Sequence, residues 1–455
     1  MGHFHSKKHI PSIQKMLMKK LLVCCMVAFQ ACNLAFGQAT VKKWTLQECI
    51  DYAMQNNITL KQAQLNKQSA TENRMQAEAG LLPSLSASTN QSLGYTPWPA
   101  NTAIKKGSYN GSYAINAQWT VWNGGQNTNT VKQDKLAEEE AELSAQQTAN
   151  TIQEKITQLY VQILYMNEAI AVNEQSLEAS KKNEERGRFM LEVGKMSKAD
   201  LAQLTAQRAT DEYNLVNAKS NLASYLLQLK QLLEITGDQP FDIVMPASSD
   251  QQALAPIPSL QDVYEQALLQ RPEIKTTELA LQSSDLQIKM AKAGSLPTIN
   301  MTGGLGTSTS SRSNDTWGSQ FKTNFDATVG VGVTMPLFDN RKTKTAVNRA
   351  MIQRELALLD RQDKQKQLYS TIEGFWLDAQ TNQQKFRAAM VSVESEQQSY
   401  DLLQEQFNLG LKNIVELMNG KTNLLQAQQN RLQSKYITIL SLQLLRFYQG
   451  ETMNL

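Results

Sequence analysis

The chain contains its own sequence twice. Residues 46–83 align with residues 260–297 at a constant offset of 214, without a gap, and 12 of the 38 aligned positions are identical. Both copies end in a Gly-x-Leu-Pro motif, at Gly80 to Pro83 and at Gly294 to Pro297. This repeat is much longer than the periods of about 20 to 50 residues found in solenoid proteins. The sequence therefore predicts two copies of one large module, related by pseudo-symmetry about a common axis.

The first 37 residues have the features of a secretory signal peptide. They carry five lysines, no acidic residue, an apolar run from Leu21 to Phe29 and a small-residue cleavage site at Ala35-Phe36-Gly37. We expect cleavage to leave Gln38 as the N-terminal residue. Lipidation of Cys32 is the alternative, and it is disfavoured because the residues just before it are poor ones for a lipidated cysteine.

The mature sequence lacks the residues for several kinds of chemistry. The signal peptide takes with it all three histidines and three of the four cysteines, leaving Cys49. Histidine-based triads, histidine or cysteine metal sites and intramolecular disulfides are thereby excluded, and we expect no enzyme activity, metal or cofactor. The net charge falls from +3 to about −2, because the segment carries five positive charges, so no basic face indicates nucleic acid as a partner. Carboxylate pairs such as Glu184 and Glu185 are interpreted as solvated helix faces.

Two long tracts of the chain have the texture of helices. Prolines are absent between Pro99 and Pro240 and again after Pro336, and each tract predicts a long helical hairpin. The helical spacing is illustrated by Ile414, Leu417, Met418, Lys421, Leu424, Leu425 and Leu432. We place the turns at Gly194 and Gly410 as helix C-caps. At 1.5 Å per residue, the outgoing arms, 127–192 and 342–408, would each be on the order of 100 Å long, which suits a coiled-coil-like tube.

Alternation of apolar and polar side chains with a period of two precedes each hairpin and predicts a strand. These strands span residues 111–122 and 321–335, and each is expected to pair with a strand that follows Gly-x-Leu-Pro, at 84–95 or 298–309. The predicted division of the chain is a signal peptide 1–37, a first repeat 38–236, a linker 237–259, a second repeat 260–450 and a C-terminal tail 451–455.

Four strands per chain are too few to close a membrane barrel, and open sheet edges are not tolerated in lipid. The smallest closed barrels have about eight strands, so strands must be pooled among chains. Two chains would give a narrow barrel filled by side chains, and three would give a twelve-stranded barrel with room for an open lumen. The aromatic residues Trp119, Trp122, Trp317 and Phe338 either form part of a belt at the membrane interface or pack at strand ends.

Taken in order, these elements resemble the TolC-type outer-membrane efflux proteins. The order is helix, Gly-x-Leu-Pro, strand, loop, strand, aromatic-Asn/Asp turn, long helix, glycine turn and long helix, given twice over essentially all of residues 44–450. The aromatic turns are Trp122-Asn123-Gly124-Gly125 and Phe338-Asp339-Asn340-Arg341. The resemblance implies an α+β membrane protein, a homotrimer whose twelve-stranded outer-membrane β-barrel continues into a long α-helical barrel across the periplasm of a Gram-negative-type bacterium.

The same resemblance implies a function. Such a protein is a passive duct for drugs or secreted proteins, held in outer-membrane lipid and supplied by an inner-membrane pump and a periplasmic adaptor, the membrane fusion protein. Its adaptor-docking turns correspond to Val193, Gly194, Lys195, Leu409, Gly410 and Leu411. A secreted coiled-coil periplasmic adaptor or scaffold is the competing interpretation. It would explain the hairpins but not the strand pairs that follow Gly-x-Leu-Pro.

The resemblance also implies a periplasmic gate. Lys412 stands where the family has its gate arginine, and Glu416 matches the first of two acids that ring the constriction. Asp200 matches the acid that ties the first hairpin to the second, so we expect Asp200 and Lys412 to meet across the contact between hairpins. Without the family, such acids would be interpreted as solvated helix surface.

Two residues depart from the family pattern at this gate. Phe407 replaces a tyrosine and lacks the hydroxyl that would bond to the tying acid, and Asn419 replaces the second acid of the ring. The resemblance therefore implies a weaker latch and a ring of three carboxylates rather than six.

Overall fold

The computed structural model describes residues 42–98, 106–237, 240–246 and 250–454. The predicted signal peptide, with Cys32 and Gln38, lies outside these residues. In the first half the elements are β1 (Lys43–Trp44), α1 (Leu46–Asn56), α2 (Ile58–Ala79), β2 (Ser84–Tyr95), β3 (Gly107–Trp122), α3 (Gln126–Glu192) and α4 (Lys198–Leu232). Between the halves lie β4 (Asp242–Ile243) and α5 (Asp250–Ala253). In the second half they are α6 (Leu260–Gln270), α7 (Pro272–Ala293), β5 (Thr298–Ser310), α8 (Trp317–Thr323), β6 (Asp326–Thr334), α9 (Lys342–Asn408) and α10 (Ile414–Tyr448).

The helices repeat the duplication seen in the sequence. Helices α1 and α2 have the same bounds as α6 and α7 at the offset of 214. The long helices α3 and α9 have 67 residues each, and their partners α4 and α10 have 35 each. The same positions are buried in both copies, namely Cys49, Ala53 and Leu60 in the first and Val263, Ala267 and Ile274 in the second. Among the described residues, no helix is both long and apolar enough to cross a membrane.

The segment predicted as a linker is bound to the body of the protein. β4 pairs in parallel with β1, and the Tyr160 hydroxyl donates to the carbonyl oxygens of Trp44 and Val244 at 3.3 and 2.7 Å. At the end of α5, the Gln383 amide donates to the carbonyl oxygens of Ala253 and Ala255 in the same segment. Met453 of the C-terminal tail is also buried in the core of the first half. The linker and the tail therefore fasten the two halves together.

One antiparallel sheet contains strands from both halves. The predicted hairpins are confirmed, because β2 pairs with β3 and β5 pairs with β6. The sequence did not predict that β3 also pairs with β5, which gives the order β2-β3-β5-β6. In this register Ile115 lies opposite Leu305. The central pair of strands thus joins the two halves of the duplication into one sheet.

The sheet has one apolar face and one polar face. Alternate residues of all four strands place their apolar side chains on one side, which we call the apolar face, including Leu85, Leu93, Tyr113, Ile115, Leu305, Val329, Val331 and Val333. The other face carries mainly serine, threonine, asparagine and glycine. The two outer strands, β2 and β6, are exposed along their whole length. Most of the apolar face is therefore uncovered within one chain.

The prediction of a strand over 321–335 was partly wrong. The strand β6 begins only at Asp326, and residues before it form the short helix α8. Side chains replace the missing strand along the far end of β5. Gln320 accepts a hydrogen bond from the Ser310 backbone N–H at 2.6 Å, and the Asn324 amide donates to the Ser308 carbonyl oxygen at 2.7 Å. Because side chains satisfy these backbone groups of β5, no further residues of β6 are needed there as hydrogen-bond partners.

Left-handed turns lead from the sheet into the long helices. The first half uses Gly124 and Gly125, with φ of 69° and 79°, and the second uses Asn340 and Arg341, with φ of 52° and 68°. A Cβ added at Gly124 would lie 3.0 Å from the Cβ of Leu296 in the other half. The first turn therefore needs glycine both for its conformation and for close packing of the two halves.

Gly124→Ala should destabilise the folded protein by about 1–2 kcal/mol, the usual cost of a left-handed alanine, and the tight contact adds to that. Thermal unfolding in detergent, followed by circular dichroism, should show a midpoint lower by several degrees. The matched control is Gly374→Ala, which lies within α9 and meets nothing within 4 Å. It should leave the midpoint unchanged or raise it, because alanine is the better helix former. Equal midpoints for both variants would show that the turn carries no such constraint.

Candidate functional site at the hairpin tips

Both hairpins turn at the predicted glycine with the same geometry. Gly194 and Gly410 have φ of 73° and 78°. The next residue donates its backbone N–H back into the helix, from Lys195 to the Met190 carbonyl oxygen at 2.7 Å and from Leu411 to that of Gln406 at 2.9 Å. This is the pattern of a Schellman C-cap, and it confirms the predicted glycine caps.

The turns present apolar side chains to solvent. Val193 in the first hairpin is 50% exposed, and Leu409 and Leu411 in the second are 75% and 71% exposed. The turn glycines have open space around them, since an added Cβ would meet nothing within 4 Å. Each tip therefore presents exposed apolar side chains on a turn whose backbone is held by hydrogen bonds.

The acid that follows each turn glycine by six residues is the third residue of the next helix and bonds to the residue that caps that helix. In the first hairpin the Ser197 hydroxyl oxygen accepts a hydrogen bond from the Asp200 N–H at 3.0 Å and donates to the Asp200 carboxylate at 2.8 Å. In the second, Asn413 accepts from the Glu416 N–H at 2.9 Å, and the Asn413 N–H donates to the Glu416 carboxylate at 3.3 Å. These are N-caps of α4 and α10, and the second is a full capping box. The repeated spacing thus has a local structural cause.

Within one chain the predicted Asp200–Lys412 contact is not present among the described residues. Lys412 instead donates to the Glu416 carboxylate one helical turn away, at 2.6 Å, and Asp200 bonds to Ser197 of its own turn. The hydrogen bond from Lys412 is the main cause that holds the pKa of Glu416 below its ordinary value. The lysine and the glutamate, treated as separate groups in the sequence analysis, are one ion pair in the structure.

Phe407 lies in an apolar cluster, which we call the tip cluster, that joins the two hairpins. Its buried members are Leu204, Tyr400, Phe407, Ile414, Leu417 and Leu424. The phenyl ring of Phe407 is 4% exposed, so the residue that replaces the family tyrosine contributes to packing. Asn419 is exposed on the opposite face of α10.

A buried polar group further from the tips also joins the hairpins. We call it the seam cluster, and it consists of Ser176, Ser180, Asp211 and Lys421. The Lys421 ammonium donates to the Ser176 carbonyl oxygen at 2.8 Å, to the Ser180 hydroxyl and to the Asp211 carboxylate. The Ser180 hydroxyl in turn donates to Asp211. The side chains of Lys421 and Asp211 are only 8% and 2% exposed, so this ion pair is removed from water.

The sequence contained a signal for the seam cluster that was not used. Lys421 occupies a position in the apolar stripe of α10, where a charge is expensive unless it is paired. Burial lowers the pKa of Lys421, and the hydrogen bond from Lys421 to Asp211 opposes that shift. A buried lysine in such a stripe predicts an acidic partner. The partner, Asp211, is 210 residues away in the sequence, so which acid pairs with Lys421 depends on how the hairpins pack.

A second polar group corrects one expectation. Glu184, interpreted from the sequence as a solvated acid, is buried between α3 and α4. Its carboxylate accepts hydrogen bonds from Arg188 at 2.7 Å and Thr205 at 3.1 Å, and it forms an ion pair with Arg208 at 2.7 Å. Burial alone would raise the pKa of Glu184, but these partners hold it below its ordinary value. The Glu184 carboxylate therefore links α3 to α4, the two arms of the first hairpin. In the described part of the chain, no group of three or more histidine, cysteine or acidic side chains is placed to hold a metal ion.

A sequence profile of the family described as outer membrane efflux protein matches residues 49–234 and 263–451, one stretch in each half. The chain is 23% identical to the outer membrane efflux protein BepC of Brucella suis over 415 residues, which cover 89% of this chain and 85% of BepC. It is 22% identical to the alkaline protease secretion protein AprF of Pseudomonas aeruginosa over 300 residues, 64% of this chain and 61% of AprF. The crystal structure of CusC has the same fold, with a TM-score of 0.77 at 18% identity over 88% of this chain and 91% of CusC.

Asn413→Ala should loosen the start of α10. Loss of an N-cap costs about 1 kcal/mol, so hydrogen exchange of the first turn, measured by mass spectrometry, should become about fivefold faster. Asn413→Asp is the matched control, because aspartate caps a helix as well as asparagine does. It should exchange at the parental rate. Faster exchange in the aspartate variant as well would show that capping is not what holds this turn.

Proposed function

The chain belongs to the outer membrane efflux protein family, and we propose that it forms the outer-membrane channel of a tripartite efflux or type I secretion system. Three copies assemble as a homotrimer in the cell outer membrane, and their long helices extend into the periplasm. The channel is a passive duct and not an enzyme. The names of its relatives BepC and AprF describe efflux and protease secretion, and one duct of this shape suits either cargo.

The four-stranded sheet is the observation that carries the proposal. Its apolar face is uncovered, and its outer strands β2 and β6 have strand partners on one side only among the described residues. Three such sheets joined β6 to β2 make a closed twelve-stranded barrel with the apolar face toward lipid. The competing scaffold function gives this sheet no role.

The hairpin tips are the proposed docking surface for the periplasmic adaptor, which links the channel to an inner-membrane pump. Val193, Leu409 and Leu411 are apolar and largely exposed on turns whose backbone is fixed. Apolar side chains on such a turn can insert into pockets of a partner with little loss of conformational entropy, because the turn is already ordered.

The gate is proposed to lie where these hairpins converge, and opening moves the second hairpin away from the first. At the mouth, Glu416 and Lys412 neutralise each other within each chain, and Asn419 adds no charge. Water screens the attraction within this partly exposed pair, so it is a weak latch. Two buried clusters bridge the hairpins. The tip cluster supplies apolar contact, and the seam cluster fixes the alignment of the hairpins, so that loss of one of its charges would favour their separation.

The assembly is tested directly. The mature protein should fractionate with outer membranes, need detergent for extraction and contain three protomers by light scattering in detergent, because the edges of the sheet have no partners until the barrel closes. The purified trimer should conduct ions in planar bilayers. A water-soluble monomer would exclude the proposed channel.

Lys421→Met should open the gate. Removing one partner of a buried ion pair leaves Asp211 uncompensated at a cost of about 3–5 kcal/mol, so the open fraction in single-channel recordings should rise about tenfold or more. The double variant Lys421→Met, Asp211→Leu should return toward the parent, because exchange of both partners for apolar residues is often neutral or stabilising.

Lys412→Met is the matched control, a lysine removed from an exposed pair. It should change the open fraction by less than about fivefold. If Lys412→Met opens the channel more than Lys421→Met does, the mouth pair and not the seam cluster holds the gate. Light scattering must show that every variant compared is a trimer.

A further inference from the structure

The short helix α8 lies on the apolar face of the sheet at the end remote from the long helices. The ring of Trp317 packs on that of Tyr109 with centroids 5.5 Å apart, and the ring of Phe321 packs on that of Tyr113 at 4.9 Å. Tyr109 and Tyr113 belong to β3 and lie on the same face as Ile115. The aromatic side of α8 thus continues the apolar face.

Hydrogen bonds fix α8 in this position. The Thr307 hydroxyl, also on the apolar face, donates to the Phe321 carbonyl oxygen at 2.9 Å. Gln320 is 3% exposed and takes the Ser310 backbone N–H, and Asn324 binds the Ser308 carbonyl oxygen. These hydrogen bonds hold α8 in one position against β5.

The packing leaves both aromatic residues of α8 partly exposed. Trp317 is 45% exposed and Phe321 is 41% exposed, although both contact the sheet. The hydrophilic side of the helix carries Ser319 and Lys322, which are exposed. A helix with one aromatic side and one polar side is suited to the boundary between acyl chains and headgroups.

The level of α8 along the strands agrees with that boundary. A tilted strand rises by about 2.5 Å per residue along the membrane normal. Trp122 lies opposite Ile299 at the other end of the apolar face, next to a bulge of one residue. Counted from Trp122, with one residue allowed for the bulge, Tyr113 and Tyr109 then lie about 20 and 30 Å away. The apolar band of an outer-membrane barrel is about 25 Å tall, so α8 lies at its outer margin.

We propose that α8 is an interfacial anchor that binds the outer leaflet of the membrane, with Trp317 and Phe321 at the level where acyl chains meet headgroups. The inference rests on the proposed function, because it requires the apolar face to meet lipid. The anchor sets how deeply this end of the sheet is inserted. The partner is the lipid surface itself, recognised by aromatic rings and not by a specific headgroup.

Position 318 offers a site for a test. An added Cβ at Gly318 meets nothing within 4 Å, so Gly318→Cys can carry a small fluorescent label on α8. The mature chain has one other cysteine, Cys49, which is buried and whose pKa is raised to about 12 by burial, so it will not compete for the label. Val329→Cys, near the middle of the apolar face and 77% exposed, is the matched control.

The labelled proteins are reconstituted into phosphatidylcholine vesicles with quenchers on the headgroup, on the deep acyl chain or dissolved in water as iodide. The label at 318 should be quenched at least twofold more by the headgroup quencher than by the deep one, and the label at 329 should show the reverse order. Trp317→Ser with Phe321→Ser should shift the label at 318 toward iodide. Quenching at 318 by iodide alone would overturn the anchor, and so would no quenching, which would indicate a protein partner. If the lipid quenchers also fail to quench the label at position 329, the proposed membrane channel is contradicted as well.

Discussion

The unpaired edges of a short sheet impose the main constraint on this molecule. Each of β2 and β6 has a row of backbone N–H and C=O groups with no strand partner among the described residues. Water can satisfy such groups, but the hydrocarbon of a membrane does not, and each unmade bond there costs several kcal/mol. In a membrane, a sheet with open edges therefore needs strands of other copies to complete its hydrogen bonds. The proposed trimer is the consequence of backbone hydrogen bonding and not an addition to the fold.

The two halves are joined very differently at the two ends of the long helices. At the sheet end, β3 and β5 share a ladder and Gly124 packs against the other half. Nearer the middle of the long helices, Arg271 of the second half forms an ion pair with Glu154 of the first at 2.9 Å. At the tips, the hairpins meet through the tip cluster and the seam cluster. The sheet end is thus one body, while the tip end consists of two hairpins with a limited contact. This difference is what the proposed gate requires, because one end has to open while the other stays closed.

The sequence predicted those features that depend on local pattern. The strand pairs follow from alternation with a period of two, and the glycine turns follow from C-cap chemistry. It failed where side chains from distant positions decide the outcome. The helix α8 replaces predicted strand because Gln320 and Asn324 satisfy β5, and the partner of Lys421 depends on how two hairpins pack. The spacing shared by Asp200 and Glu416 was correctly noticed, but helix capping accounts for it without any reference to a gate.

The composition of the contact between hairpins suits the proposed gate, whose opening would separate them. An apolar layer of the same area would hold the hairpins together more firmly, because exposing it to water costs free energy in proportion to its area. A buried ion pair behaves differently, since the desolvation of both charges offsets most of their attraction, and both charges regain water when the surfaces part. Lys421 and Asp211 therefore define the alignment of the hairpins without adding much to the stability of the closed state. The tip cluster supplies the apolar part of the contact, and the proposed adaptor at the tips would act against this limited contact.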